Sequence, residues 1–195
     1  TLVKIQTVTV GSGGASSIQF TSIPQTYTDL VIKLSCRTSR ASAQGLYKIT
    51  FNATSANYSG IILYSYSGTS VTSETNSAAS GGSTYLIGEY IPAANATASV
   101  FSCDEIYIPN YTSSNYKSVS MDLIQENNAA DGRQSMTAGL WSNTAAISSI
   151  KIESATASTN LAQYSTATLY GVTATPNTTK ASGGIIYQDA TYMYH

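Results

Sequence analysis

The side chains able to do chemistry are few in this chain, and their spacing does not bring them together. The one histidine stands at position 195, so a Ser-His-Asp or Cys-His arrangement packed inside a pocket lacks its central member. A zinc site built on several imidazoles needs more than one His. Two cysteines, Cys36 and Cys103, fall short of a four-ligand structural site. The glycines Gly11, Gly13 and Gly14 match a phosphate-binding loop only loosely, because no Lys-Ser/Thr follows them. They read as a hairpin connection.

Carboxylates are what remains: Asp104, Glu105, Asp122, Glu126, Asp131 and Asp189. A glycosidase needs two of them facing one another across a sugar. Asp104 and Glu105 are neighbours in a strand-like run and project to opposite faces. Asp122 and Glu126 share a face but are separated by about 13 Å of strand rise, too far for that chemistry. The expectation is that these acids are solvated at the surface. The run Glu126-Asn-Asn-Ala-Ala-Asp-Gly132 offers oxygen atoms that suit Ca²⁺, yet matches no EF-hand spacing, and is read as a turn. The two cysteines are expected to be reduced and packed, since their flanks are apolar. No cofactor or metal is expected, and the chain is not read as an enzyme.

Tyrosine is the unusual residue, with 15 copies against 3 Phe and 1 Trp. A phenol ring tolerates partial exposure and supplies contact area at low entropic cost. Tyr58, Tyr64, Tyr66, Tyr111, Tyr116, Tyr187, Tyr192 and Tyr194 lie near turns or in the C-terminal run. Of these Tyr111, Tyr116, Tyr187, Tyr192 and Tyr194 are the candidate subunit-interface or glycan contacts. Trp141 is expected to anchor the core.

Composition narrows the class. The chain has 195 residues, a net charge of −1 and only 10% charged side chains, against about 25% in typical soluble domains. Its nine Lys and Arg are spread singly, so no basic stripe exists to neutralise a row of phosphates, and nucleic-acid binding is not expected. No apolar run approaches the ~20 residues that span a bilayer. The N-terminal TLVKIQTVTV alternates and lacks the character of a signal peptide; an initiator Met removed before Thr1 is expected.

Alternation places these residues on strands. Leu30, Ile32, Leu34 and Cys36 point one way and Val31, Lys33, Ser35 and Arg37 the other, the pattern of a half-buried strand. Similar segments are drawn at 3–10, 17–21, 46–51, 60–66, 84–91, 98–108, 116–125, 135–141, 147–153 and 167–172. Between them lie Gly81-Gly82, Pro92-Ala-Ala-Asn95, Pro109-Asn110, Asn127-Asn128 and Asp131-Gly132, all favouring turns. No sustained helical stripe is present; the segment 142–146 is a connector that Asn143 caps. The fold expected is all-β, an antiparallel β-sandwich or jelly roll, in residues 1–173. A Pro- and Gly-containing linker follows at 174–184, then a tyrosine-rich extended segment at 185–195.

Three runs go further: Ser17–Cys36 (SIQFTSIPQTYTDLVIKLSC), Leu140–Ile152 (LWSNTAAISSIKI) and Ser165–Val172 (STATLYGV). They resemble phage virion proteins in which IPxTYTDLVI, GLWxxTAAIxSIKI and STATLYGI recur in that order. The run Gly184–His195 (GIIYQDATYMYH) resembles the lead-in from such a sandwich to a glycine-rich fibre tip. The resemblance implies a virion structural protein, assembled in the host cytoplasm: a tail-fibre adhesion subunit or its particle-proximal domain, with a capsid decoration or head-fibre protein as the alternative and a glycan-degrading tail enzyme domain as the second. It further implies a homo-oligomer, a trimer first, contacting other virion proteins and a host surface glycan.

Overall fold

The computed structural model describes residues 1–67, 70–75, 84–127 and 132–173. Among them no helix occurs, and twelve strands run β1 (Leu2–Thr9), β2 (Ser17–Phe20), β3 (Asp29–Ser35), β4 (Gln44–Phe51), β5 (Tyr58–Tyr66), β6 (Ser70–Thr75), β7 (Leu86–Pro92), β8 (Cys103–Ile108), β9 (Lys117–Gln125), β10 (Arg133–Trp141), β11 (Ile150–Ser154) and β12 (Thr166–Val172). They form two antiparallel sheets, one of eight strands ordered β1-β12-β3-β8-β9-β10-β5-β6 and one of four ordered β2-β11-β4-β7. The linker 174–184 and the extended segment 185–195 lie outside the described residues.

The connectivity is that of a jelly roll carrying two insertions. With the β5–β6 and β9–β10 hairpins set aside, the remaining eight strands stand as β1-β12-β3-β8 facing β2-β11-β4-β7. This is the first-eighth-third-sixth and second-seventh-fourth-fifth order that two interleaved Greek keys produce. The inserted strands pair with one another, β10 joining β9 on one side and β5 on the other. They attach through β9 to β8 and widen one sheet well beyond its partner.

Period-two side chains make the core. Leu30, Ile32 and Leu34 of β3, Ile106 and Ile108 of β8, Val119, Met121 and Leu123 of β9 and Leu169 of β12 are buried against Ile18, Phe20, Ile49, Phe51, Ile150 and Ile152 of the smaller sheet. Trp141 is fully buried, edge-on to Phe51 at 5.6 Å and stacked on Tyr58 at 6.2 Å between ring centroids, as a core anchor should be.

Three expectations need correction. The strand drawn from residue 98 begins at Cys103; residues 93–101 form a loop instead, because the Arg37 guanidinium donates to the carbonyls of Thr97 and Ala96 at 2.8 and 3.0 Å, Val100 at 3.0 Å and Ala94 at 3.4 Å. Four carbonyls turned toward one cation cannot join a ladder. Second, β6 was not expected as a strand: all six of its residues are exposed, so it shows no burial alternation. Third, residues 147–149 precede β11 as irregular chain, though Ile147 is buried. The connector at 142–146 behaves as expected, with Asn143 Oδ1 accepting the Ala145 amide at 2.8 Å.

Candidate functional site

The three motif runs meet at one end of the sandwich. In the first run, Gln25 Nε2 donates to the carbonyl of Ile147 in the second at 3.0 Å, and the Ile23 amide bonds Ser148 O at 3.0 Å. Tyr27, also in the first run, lies with its ring over Gly171 of the third, so that a Cβ at position 171 would fall inside the ring. The amide of Thr28 then bonds Val172 O at 2.8 Å. Asp29 closes the corner, accepting Tyr107 Oη–H and the Asn110 amide, each at 2.8 Å; Asn110 has φ 49°, a left-handed turn position that Asn tolerates. These residues lock strands together. The motifs are structural joints.

Tyr111 belongs to the same joint. Its ring is fully buried, its hydroxyl donates to Pro24 O and its carbonyl accepts the Ile147 amide at 3.0 Å. It is therefore removed from the surface contacts expected of it, as is Tyr58, which is buried and donates toward Phe51 O while accepting the Phe51 amide at 2.7 Å. Both were expected outside because they lie near turns; here the turns fold inward over the sandwich end. Tyr116 is 58% exposed and keeps its place as a contact candidate. Tyr187, Tyr192 and Tyr194 lie outside the described residues. Tyr164, 68% exposed and at φ 73°, is a surface ring the sequence did not single out; its neighbours are polar and its strain is a backbone property.

The acids also divide. Asp104 and Glu105 do project to opposite faces: Glu105 pairs with Lys33 on the outer side, whereas Asp104 is buried and accepts the Ser102 hydroxyl at 2.8 Å. The expectation of a solvated Asp104 is thus corrected. It stands on β8 opposite Leu34 and Leu123, and loss of water there pushes its pKa up to about 7. Glu153 lies 2.9 Å from Lys48 and 2.5 Å from Lys151 on the outer side of the four-stranded sheet; these lysines pull its pKa below the usual carboxylate range against the opposing effect of burial. Glu105 and Asp122 stand directly opposite one another on β8 and β9, on the outward face of the eight-stranded sheet. The Glu126–Gly132 run lies partly outside the described residues.

Cys36 and Cys103 are both free thiols. Register explains why they do not pair although their strands are neighbours. Leu34 stands opposite Asp104 and the Ser102 amide bonds Cys36 O, so Cys36 shares the inner side with Asp104 while Cys103 points outward. Cys36 is buried, and desolvation first, with the Asp104 charge second, raises its thiol pKa to about 12. Cys103 is exposed, against the expectation that both would be packed.

The outward feature that stands apart is on the inserted strands. Ile124 of β9, Met136 of β10, Ile61 and Leu63 of β5 and Val71 of β6 are all 46–68% exposed. Met136 lies directly across from Leu63, and Ser65, one step along, lies across from Val71. A shallow groove of about 160 Å³ runs between Leu63, Val71, Gln134 and Met136. On the opposite side of the same strands Arg133 is enclosed by the rings of Tyr90, Tyr66 and Tyr64, its guanidinium carbon 3.8, 4.7 and 4.9 Å from their centroids, cation–π contacts that tie β10, β5 and β7 together.

No protein-family model, no curated protein and no solved structure matches this chain. Among the described residues no helix is long and apolar enough to cross a membrane.

Proposed function

We propose that the chain is a structural and adhesive subunit of a phage virion, most directly a tail-fibre subunit or its particle-proximal domain, present in several copies per particle. The observation that carries this reading is the joint at the sandwich end. The three runs through which the sequence resembles phage virion proteins act on one another physically, through Gln25 and Ile147 and through Tyr27 and Gly171. A jelly roll held in this way is a rigid, charge-poor block suited to repetition in a particle. Multiple copies make weak glycan contacts sufficient, since each added copy raises avidity without any new contact.

The placement of the acids supports a binding role over turnover. Glu105 and Glu153 are held in outer-face ion pairs, and Asp104 is sealed between sheets. The proposal is tested by density-gradient purification of phage particles followed by peptide quantification. The chain should band with the particles at a fixed multiple of the portal or baseplate copy number. Recovery only in the soluble fraction would overturn the reading.

A further inference from the structure

Resting on the adhesive reading above, we infer that the loop end carrying Tyr164 is a glycan-binding platform, on which the Tyr164 ring stacks against the face of a neutral pyranose. Four observations converge on it.

First, the ring is displayed at a conformational cost. Tyr164 is more exposed than any other aromatic side chain among the described residues, and it sits at φ 73°. The eight other non-glycine residues with positive φ are Ser, Asn or Ala. A bulky side chain in that region is an outlier. Such strain persists where the surroundings over-determine it, and it gathers at functional sites.

Second, the surroundings do over-determine it. The Tyr164 amide donates to Val10 O at 2.9 Å, and the Val10 amide to Ser165 O at 2.8 Å. Leu161, fully buried, exchanges both backbone bonds with Ala15, while the Ala162 amide bonds Arg37 O and the Ser39 amide bonds Asn160 O. The buried Ser165 hydroxyl accepts the Arg37 amide at 3.1 Å. Three loops, 10–16, 36–40 and 155–165, are thereby stitched into one support, so a ligand meets a ring already in place.

Third, the chemistry of these loops suits a sugar. Their exposed side chains include Ser12, Ser39, Asn160 and Gln163, hydroxyls and amides that both donate and accept. They hold no carboxylate, and their two guanidinium groups, on Arg37 and Arg40, already donate to backbone carbonyls. A pyranose offers a C–H face, slightly positive, to the negative face of an aromatic ring, and a hydroxyl edge to the amides.

Fourth, the place favours a small ligand over a protein. Backbone groups here bond from loop to loop and do not form a strand edge that a peptide could extend. One free ring falls far short of the roughly 800 Å² that each partner gives to a stable protein interface. The platform also lies at the pole opposite the motif joint, since β1 and β12 run side by side from the Val10–Tyr164 bond to the Thr1–Thr173 bond.

Saturation-transfer NMR on the full chain, with the methyl glycosides of glucose, galactose, mannose and rhamnose as probes, tests the platform. At least one probe should bind. Tyr164→Ala should weaken that binding about tenfold or more, and Tyr164→Phe should keep it within about threefold, as expected for a ring contact. Tyr164→Gly should lose binding yet raise the melting temperature by about 2–4 °C, because glycine adopts this φ without strain. A ring that merely holds the loops together would make Tyr164→Gly melt lower, and that result overturns the inference. So does the failure of all four probes to bind, or binding that is lost in Tyr116→Ala and kept in Tyr164→Ala. None of these results touches the virion reading, which co-purification with particles decides on its own.

Discussion

Tyr27 lies flat across Gly171, ring against backbone, at the point where β12 leaves the sandwich and β3 enters it. Only a residue without a Cβ leaves room for the ring, so the tyrosine of one motif and the glycine of another are one structural unit. Gly171→Ala should lower stability by about 1–3 kcal/mol, the usual result of forcing a methyl into a packed site. Tyr27→Ala in the same chain should remove most of that added loss. Denaturant titration of the two single variants and the double variant measures the coupling; strictly additive effects would show that the ring and the glycine act independently.

Asp104 should make stability depend on pH in the sense opposite to most acids. Its pKa is raised from 3.8 to about 7 by burial, so the folded chain holds a proton that the unfolded chain releases. Stability tied to this group is full below about pH 4, declines as pH rises toward 7, and stays low above it, a difference of up to roughly 4 kcal/mol. Asp104→Asn keeps an acceptor for Ser102 and carries no charge. Urea midpoints of parent and variant should coincide near pH 4, and the variant should be the more stable at pH 8. Parallel profiles would contradict this.

Arg37 should be irreplaceable by lysine. Its two terminal nitrogens hold four carbonyls between Ala94 and Val100, a geometry that a single ammonium does not reproduce. Arg37→Lys should cost about 1–3 kcal/mol, and hydrogen exchange should rise in the 93–101 loop while β9 and β10 stay protected. Uniform exchange would show that the loop is held by other means.

Thiol chemistry should report the register of β3 against β8. Cys103 is exposed and Cys36 is buried with its pKa pushed up to about 12. An aromatic disulfide reagent should therefore modify one thiol in the native chain and both in denaturant. Rapid reaction of both thiols in the folded protein would contradict the inward placement of Cys36.

Much of the fold was legible in the sequence, because alternation alone distinguishes an inner from an outer face. Leu30, Ile32, Leu34 and Cys36 are buried as a set, and every drawn strand corresponds to an observed one. What escaped had no alternation to show. β6, written Ser-Val-Thr-Ser-Glu-Thr, is exposed throughout and is a strand only because β5 offers it a ladder. The interior position of Asp104 is likewise a matter of register: Leu34 and Leu123 flank it across the sheet, and cross-strand partners are not written in local sequence. Tyr111 was assigned outward from its place beside a turn, whereas the bonds to Pro24 and Ile147 turn it in. The apolar face went unread for the same reason, since Ile61, Leu63, Val71, Ile124 and Met136 come from four separate strands.

Location on the particle is the most direct test of a virion role. Gold-labelled antibody raised against the chain should decorate the tail fibres of intact phage in electron micrographs. Label confined to the head would move the subunit to capsid decoration, and particles that carry no label at all would contradict a structural place in the virion.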